Sequence, residues 1–310
     1  MQSFSSLQVF CEHVLRKFEG QPRISEEQLA AEFRAVYLKG YPLDLRTLRA
    51  VSASCGIKLN GLEKMPANMR GFHEVYGDRK NIYFKKGDTL SGIQNTILHE
   101  MREMMESLFV DVNPNYKPLR TSALHIAANR FASAVLLPEE SFRNKVYETG
   151  FDVVNLARIY SKSCSQVLLR MGEVLQGRLF FYAALYEASS SNSLRDFKVN
   201  YWTISFNEED LDANFRGFPG FFPKKGYSVT PGSLVEMAIN KKKAHLVRQI
   251  TILEDLTDHG LTAIARPLFE ARPGVARVAL VVMLNHDGHL LEPQIAKARP
   301  SVLEHFHRHL

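Results

Sequence analysis

GIQNTILHEMREMMESLF, residues 92–109, is the stretch that decides the fold. Its apolar residues recur at helical spacing, and this pattern predicts one long helix from Gln94 to Phe109 with a broad buried face. Asn113-Pro114-Asn115 follows and ends the helical pattern. The apolar positions that share the buried face are Ile97, Leu98, Met101, Met104, Met105 and Leu108.

Three polar residues of this helix have the spacing of a metal centre. His99 and Glu103 are four residues apart, so both side chains lie on one face, about one turn from each other. Glu100 lies about 100° further round the helix, where it can act on a water molecule without binding the metal. The pattern H-E-x-x-E differs by one residue from the H-E-x-x-H of zinc peptidases. Taken alone it is weak, because a cluster of surface charges around Arg102 would give the same letters.

HIAANRFASAVLLP, residues 125–138, adds context that the first segment lacks. It predicts a helix from about Ser122 to Leu137 that stops at Pro138. The segment resembles the second active-site helix of the ImmA/IrrE family of zinc peptidases, which typically reads E-x-x-A-N-x-F-A-x-x-L-L-x-P. The matching residues are Ala128, Asn129, Phe131, Ala132, Val135, Leu136 and Pro138, the last of them one position early.

The resemblance implies a metal centre made of His99, Glu103 and His125. Relative to the family, Glu103 stands where a histidine is expected and His125 stands where a glutamate is expected. The set is still two imidazoles and one carboxylate, as in other catalytic zinc sites. We therefore expect Zn²⁺, with Mn²⁺ as the alternative ion in the cell, and Glu100 as the catalytic base. The open alternative is that His125 is an ordinary polar residue at a helix start.

A β-hairpin is predicted just before the long helix. Two short extended runs, Gly71–Tyr76 and Asn81–Phe84, flank a turn. ImmA/IrrE proteins have a hairpin at this place, and in zincin-like enzymes the edge strand beside the metal often holds the substrate by backbone pairing. The resemblance therefore predicts a substrate alongside residues 71–84, with Asn81 and Tyr83 as substrate-binding residues.

The patterns along the whole chain indicate an α+β protein. Residues 5–38 and 45–55 are predicted to be helical, and Ser25 with Gln28 has the signature of a capping box. Beyond residue 178 the helices alternate with β-like runs. These runs are residues 179–185, 201–206, 261–268 and 275–284.

The resemblance to ImmA/IrrE proteins of the radiation-response type implies three domains. Residues 1–140 would form a zincin-like, mainly helical peptidase domain with a small β-hairpin or sheet. Residues 141–178 would form a short helical segment of helix-turn-helix type, and residues 179–310 a GAF-like α+β domain with a sensor or regulatory role. The aromatic loop with Phe218, Phe221 and Phe222 could line a small-molecule pocket of this last domain, or simply pack.

Composition excludes several other classes of protein. The 310 residues are 45% hydrophobic and 23% charged, which is typical of a globular chain. No apolar run approaches the roughly 20 residues of a membrane span, and the N-terminus lacks the pattern of a signal peptide, so we expect a cytoplasmic location. The three cysteines form no CxxC pair, which argues against a disulfide framework or a cysteine zinc site.

By resemblance, the function would be regulatory proteolysis of a helix-turn-helix repressor of the XRE type, during stress or induction. One alternative is an inactive pseudo-peptidase that binds a repressor or a small effector. Another is a DNA-binding regulator that uses residues 152–175. We do not expect direct DNA binding, because the second helix of that segment offers only Arg170 to read bases, and phosphate contacts need several cations. The sequence does not indicate an oligomeric state.

Overall fold

The structure, a computed structural model, has a mixed α+β architecture, as the sequence predicted. It describes residues 6–21, 23–40, 43–77, 79–189, 196–205, 223–241, 245–249, 261–268 and 275–296. The chain divides into two compact units, which we call unit 1 (residues 1–139) and unit 2 (residues 140–310). None of the described helices combines the length and the apolar character that crossing a membrane requires.

Unit 1 is mainly helical. Ser25 and Gln28 form the predicted capping box, with Ser25 accepting from the Gln28 backbone N–H and the Gln28 side chain accepting from that of Ser25. A π-helical turn, Arg34–Leu38, continues the second helix. The helices are α1 (Leu7–Lys17), α2 (Glu26–Phe33), α3 (Leu45–Ser54), α4 (Leu90–Val112) and α5 (Thr121–Leu136).

A three-stranded sheet lies beside α4. Its strands are β1 (Ile57–Leu62), β2 (Gly71–Tyr76) and β3 (Arg79–Lys85), in the order β1-β3-β2. The hairpin of β2 and β3 was predicted, whereas β1 was missed. Residues Asn60 and Gly61 of β1 are poor strand formers, and β1 pairs with β3 in parallel, so no adjacent turn marks it in the sequence.

Aromatic side chains join three helices of unit 1 in its core. The ring of Phe33 on α2 meets Phe131 on α5 edge to face, with centroids 5.6 Å apart. Phe10 on α1 meets Phe33 in the same way at 5.9 Å. All three rings are fully buried, and such pairs add to the stabilisation that burial alone provides. This packing holds α5 in place beside α4, which carries the candidate site.

Unit 2 contains a five-stranded antiparallel sheet with helices on both faces. Gly172, in the helix Cys164–Leu175, packs against Thr203, in the strand Lys198–Ile204, on one face. Val235 and Ala238, in the helix Leu234–Lys241, join the apolar cluster on the other face. The strands, in the order β5-β4-β8-β7-β6, are β4 (Phe181–Ser189), β5 (Lys198–Ile204), β6 (His245–Gln249), β7 (Leu261–Leu268) and β8 (Val275–Leu284). The helices are α6 (Glu139–Thr149), α7 (Val153–Tyr160), α8 (Cys164–Leu175), α9 (Leu234–Lys241) and α10 (Glu292–Ala296), the last preceded by a 3-10 helix (Asn285–Leu291).

The predicted helix pair at residues 152–175 exists as α7 and α8. Ser163 caps α8 through the backbone N–H of Gln166. Arg170, the residue considered for base reading, is completely buried and pairs with Glu173, so it does not reach a surface where DNA could bind. The three-domain division and the GAF-like character of residues 179–310 stay predictions. Phe218, Phe221 and Phe222 lie outside the described residues.

Candidate metal centre

Helix α4 carries three of the predicted site residues in a largely buried position. His99 is 8% exposed and Glu100 is 7% exposed. The helix begins at Leu90, where the side chain of Thr89 accepts a hydrogen bond from the backbone N–H of Gly92. Buried imidazole and carboxylate groups require partners, because an unpaired polar group away from water is costly. The residues that contact His99 and Glu100 therefore make up the rest of the site.

The predicted metal ligands are close together in the structure. His99 Nε2 lies 3.1 Å from Glu103 Oε1, and His125 Nδ1 of α5 lies 3.7 Å from the same oxygen. The two imidazole rings meet edge to face, with centroids 4.6 Å apart. Two ligands of one tetrahedral Zn²⁺ ion, each about 2.0–2.1 Å from it, would lie about 3.3 Å from each other. One ligand atom from each of the three residues lies within 4.8 Å of the other two, so a single cation can be bound there after small adjustments.

Asn129 orients the imidazole of His99. His99 Nδ1 lies 3.0 Å from Asn129 Oδ1. Since an amide oxygen only accepts hydrogen bonds, Nδ1 must carry the proton and Nε2 faces Glu103. Ring nitrogens that bind metals have this arrangement, in which the other nitrogen donates to a second partner. In the sequence, Asn129 stands out only as part of a motif, and the helical spacing of α5 does not show which residue it contacts.

The charges at the site favour an ion pair between His99 and Glu103. The hydrogen bond from His99 lowers the pKa of Glu103, despite burial, and the positive charges of nearby histidines add to this effect. Burial opposes a charged His99, but the hydrogen bond and charge of Glu103 outweigh it and raise the pKa of His99. A cation would thus compete with a proton for His99 Nε2, as at other metal sites.

The donor set fits a catalytic divalent ion. Two imidazoles and one carboxylate are a common protein ligand set for catalytic zinc, which keeps a further position for water or substrate. The side chain of His125 is 65% exposed, whereas that of His99 is 10% exposed, so the set opens to solvent on the side of α5. The structure therefore combines two candidate ligands from a buried helix with a third candidate ligand at the mouth of the site.

His73 is a residue of this site that sequence reasoning missed. It lies on β2, and its Nδ1 is 2.7 Å from Glu100 Oε2 and 3.9 Å from Glu103 Oε2. These residues form a second group that could hold an ion, and it shares Glu103 with the first. The only sequence signal was that a histidine occurs within a strand predicted to lie next to the site.

Asn81 and Tyr83, the predicted substrate-binding residues, do not lie at this site. Both belong to β3, the central strand, whose backbone already pairs with β1 and β2. Ile82 is the register partner of His73, so Asn81 and Tyr83 project from the opposite face of the sheet. There Tyr83 stacks on Phe72 with ring centroids 4.6 Å apart. Their substrate-binding role stays a prediction. Their position away from Glu100 could not be foreseen, because a hairpin sequence does not reveal which of its strands becomes the edge of a sheet.

A buried ion-pair network anchors the middle of α4. Arg102, adjacent to the candidate ligand Glu103, donates from Nε and Nη2 to the two carboxylate oxygens of Glu26 on α2, at 2.8 and 2.9 Å. Its Nη1 donates to Glu106 at 2.9 Å. Glu106 also accepts from the Tyr116 hydroxyl, at 3.1 Å, and from a backbone N–H in the segment before α5. The network therefore ties α4 to α2 and to the α4–α5 connection.

Comparison with known proteins points to one peptidase family. Residues 54–171 match the family model of the M78 peptidases, described as the IrrE N-terminal-like domain. No curated protein matches this chain. Among solved structures, a Mycobacterium tuberculosis transcriptional regulator is similar, with a TM-score of 0.54 and 14% sequence identity over 96% of this chain and 86% of that chain. At this identity the similarity establishes the fold alone.

Proposed function

We propose that this chain is a zinc-dependent endopeptidase with a regulatory role, because its residues 54–171 match the family model of the M78 peptidases, the IrrE N-terminal-like domain. The observation that carries the proposal is the convergence of His99, Glu103 and His125, with the buried Glu100 next to them. Mn²⁺ is the alternative ion, since imidazole and carboxylate ligands suit both metals.

The proposed mechanism assigns a separate task to each group. His99, Glu103 and His125 would hold the ion. When bound, the ion would polarise the scissile carbonyl and acidify a water molecule. Glu100 would remove a proton from the attacking water and return it to the leaving amine. The low exposure of Glu100 supports this role, because bulk solvent competes less for a proton that a buried carboxylate holds.

We place the substrate along β2 rather than β3. Among the described residues, β2 pairs only with β3, so its outer edge is open to an additional strand. His73, in the middle of β2, contacts Glu100, so a peptide on this edge would pass beside the proposed base. This position lies within residues 71–84, the segment that the sequence predicted, but it does not involve Asn81 or Tyr83.

The proposed substrate is a helix-turn-helix repressor of the XRE type, cleaved in a stress or induction response in the cytoplasm. The match to the IrrE N-terminal-like family model supports a regulatory role, and a transcriptional regulator has a similar fold. In this proposal residues 141–178 dock the substrate protein, and the GAF-like domain, residues 179–310, receives the signal, with a small molecule as one form of it. The burial of Arg170 argues against base reading by α8.

A second candidate function is that of a pseudo-peptidase, which binds a repressor or an effector without cutting it. The observation that favours it is the position of His125, the most exposed residue of the set, whose Nδ1 lies 3.7 Å from Glu103. A ligand whose side chain is so exposed would give a weak metal site. The two candidates differ in metal content and in the formation of cleavage products.

One experiment separates the two candidates. The full chain is loaded with Zn²⁺, dialysed, and incubated with a proteome-derived peptide library and with purified helix-turn-helix repressors, and new termini are identified by mass spectrometry. We expect one zinc per chain and new termini that are absent with Glu100→Gln, which keeps the ligands. A zinc-loaded wild-type chain that produces no new termini, but binds a repressor stoichiometrically, would establish the pseudo-peptidase instead.

A further inference from the structure

His73 forms the shortest polar contact of Glu100 in the described structure. Its Nδ1 lies 2.7 Å from Glu100 Oε2, and the two side chains are 25% and 9% exposed. The contact joins β2 to α4, and its two residues are 27 positions apart in the chain. Since the proposed mechanism requires Glu100 to take a proton in a fixed geometry, the group that restrains its carboxylate matters for catalysis.

The hydrogen-bond chemistry defines the direction of this contact. The proposed base is an ionised carboxylate, which has only acceptor atoms, so the proposal puts the proton on Nδ1 of His73, which donates it to Glu100. A bond to an ionised acceptor is short, and 2.7 Å is typical of one. The bond occupies Oε2, so Oε1 of Glu100 would be the atom that takes the proton from water.

A direct hydrogen bond explains the position of His73 better than a shared second ion. Two ligands of one zinc ion would lie about 3.3 Å apart. The His73–Glu100 distance of 2.7 Å is shorter than this, whereas the distance from His73 to Glu103 is 3.9 Å. If Glu100 were a ligand of a second ion, the described site would also lose its proposed base.

We propose that His73 is a positioning residue, which holds the carboxylate of Glu100 through an Nδ1–H donor on the edge strand. This inference rests on the proposed peptidase function. Because His73 belongs to β2, a substrate strand paired with β2 is held by the same element that positions the base. The main effect of losing His73 is therefore on kcat, while the backbone edge that binds the substrate is unchanged.

Two variants test this role in the zinc-loaded full chain. His73→Leu removes the hydrogen-bond donor. His73→Asn keeps a donor, because the Nδ2–H of asparagine lies nearly where the Nδ1–H of histidine lies. With a peptide from the library that wild type cuts, we expect His73→Leu to lose about 10- to 100-fold in kcat, part of the 10²–10⁴ that acid–base catalysis contributes. KM and zinc content should not change, and His73→Asn should recover most of the rate.

Three results would overturn the proposal. Loss of zinc from His73→Leu would make His73 a ligand. An equal loss of kcat in His73→Asn and His73→Leu would show that the donor is irrelevant, and an unchanged kcat in His73→Leu would show that Glu100 needs no support. These results are read with folding verified by circular dichroism and by the midpoint of unfolding.

A spectroscopic measurement keeps the test independent of peptidase activity. With histidine labelled with ¹⁵N, the Nδ1 proton of His73 should give a low-field resonance that disappears in Glu100→Ala and in His73→Leu. Its absence from the wild type would refute the hydrogen bond. Its presence in a chain that cuts no peptide would refute the proposed function and leave the contact established.

Discussion

Replacing Arg102 by methionine is predicted to destabilise unit 1 strongly without touching the candidate ligands directly. Arg102 is 2% exposed and makes three charged hydrogen bonds of 2.8–2.9 Å, two to Glu26 and one to Glu106. Burial opposes its charge, but the hydrogen bonds to Glu26 and Glu106 outweigh burial and raise the pKa of Arg102. Methionine fills a similar volume but leaves two carboxylates without their cation.

The magnitude follows from this geometry. Hydrogen bonds to charged groups contribute about 1.5–3 kcal/mol each. Removing one partner of a buried ion pair costs about 3–5 kcal/mol, because the other charge stays buried. Glu106 keeps its bonds from Tyr116 and from a backbone N–H, which limits the penalty on that side. We therefore expect Arg102→Met to lower the free energy of opening of α4 by about 3–5 kcal/mol.

Hydrogen–deuterium exchange with mass spectrometry is the assay, since it measures the opening free energy of peptides from α4 and α2 separately from the rest of the chain. Arg130→Met is the matched control, because Arg130 is exposed on α5 and such substitutions usually change stability by less than about 0.5 kcal/mol. A loss below about 1 kcal/mol for Arg102→Met would refute the reasoning, because that is the value of an exposed ion pair.

Three further predictions concern the metal and pH. His125→Ala should lower the zinc content of dialysed protein well below one per chain by elemental analysis, and equal content in both proteins would remove His125 from the ligand set. Asn129→Leu should weaken zinc affinity about 10- to 100-fold in a competition titration with a chelator, while Asn129→Asp stays closer to wild type; no change in Asn129→Leu would refute its orienting role. Burial opposes ionisation of Glu32, but its contacts with Lys17 and His13 lower its pKa, so its stabilisation is present above pH 4.5 and is lost as the pH falls through the lowered value. The unfolding midpoint of Glu32→Gln should therefore fall less between pH 7 and pH 3 than that of wild type, and equal falls would contradict the assignment.

Local patterns predicted much of the fold of unit 1. The 3.6-residue period of residues 94–109 identified α4, although the helix extends further, from Leu90 to Val112. Residues 71–76 were predicted as a strand with the bounds that β2 has. Strands β1 and β6 were missed, because pairing with distant strands stabilises them rather than their own pattern.

Which strand of the hairpin can accept a substrate depends on the topology of the sheet. A hairpin considered alone has two open edges, and either strand could accept a peptide. The parallel pairing of β1 with β3 closes one of these edges and leaves β2 as the outer strand next to α4. Tyr83 and Asn81 are therefore on a closed strand, and on the face away from Glu100. Only the order of strands in the sheet, which depends on contacts across the chain, decides this.

Sequence by itself determined the part of the site that lies on one helix. His99, Glu100 and Glu103 are related by the pitch of an α-helix, which any sequence of this kind adopts, so their relative positions follow from spacing. His125 was predicted only through the family resemblance. Asn129 and His73 were identified as partners by the tertiary structure alone, because packing of α5 and β2 against α4 brings all three residues to that part of the helix. Helical geometry is local and can be predicted from the sequence, whereas the packing of separate helices and strands against each other depends on the whole core.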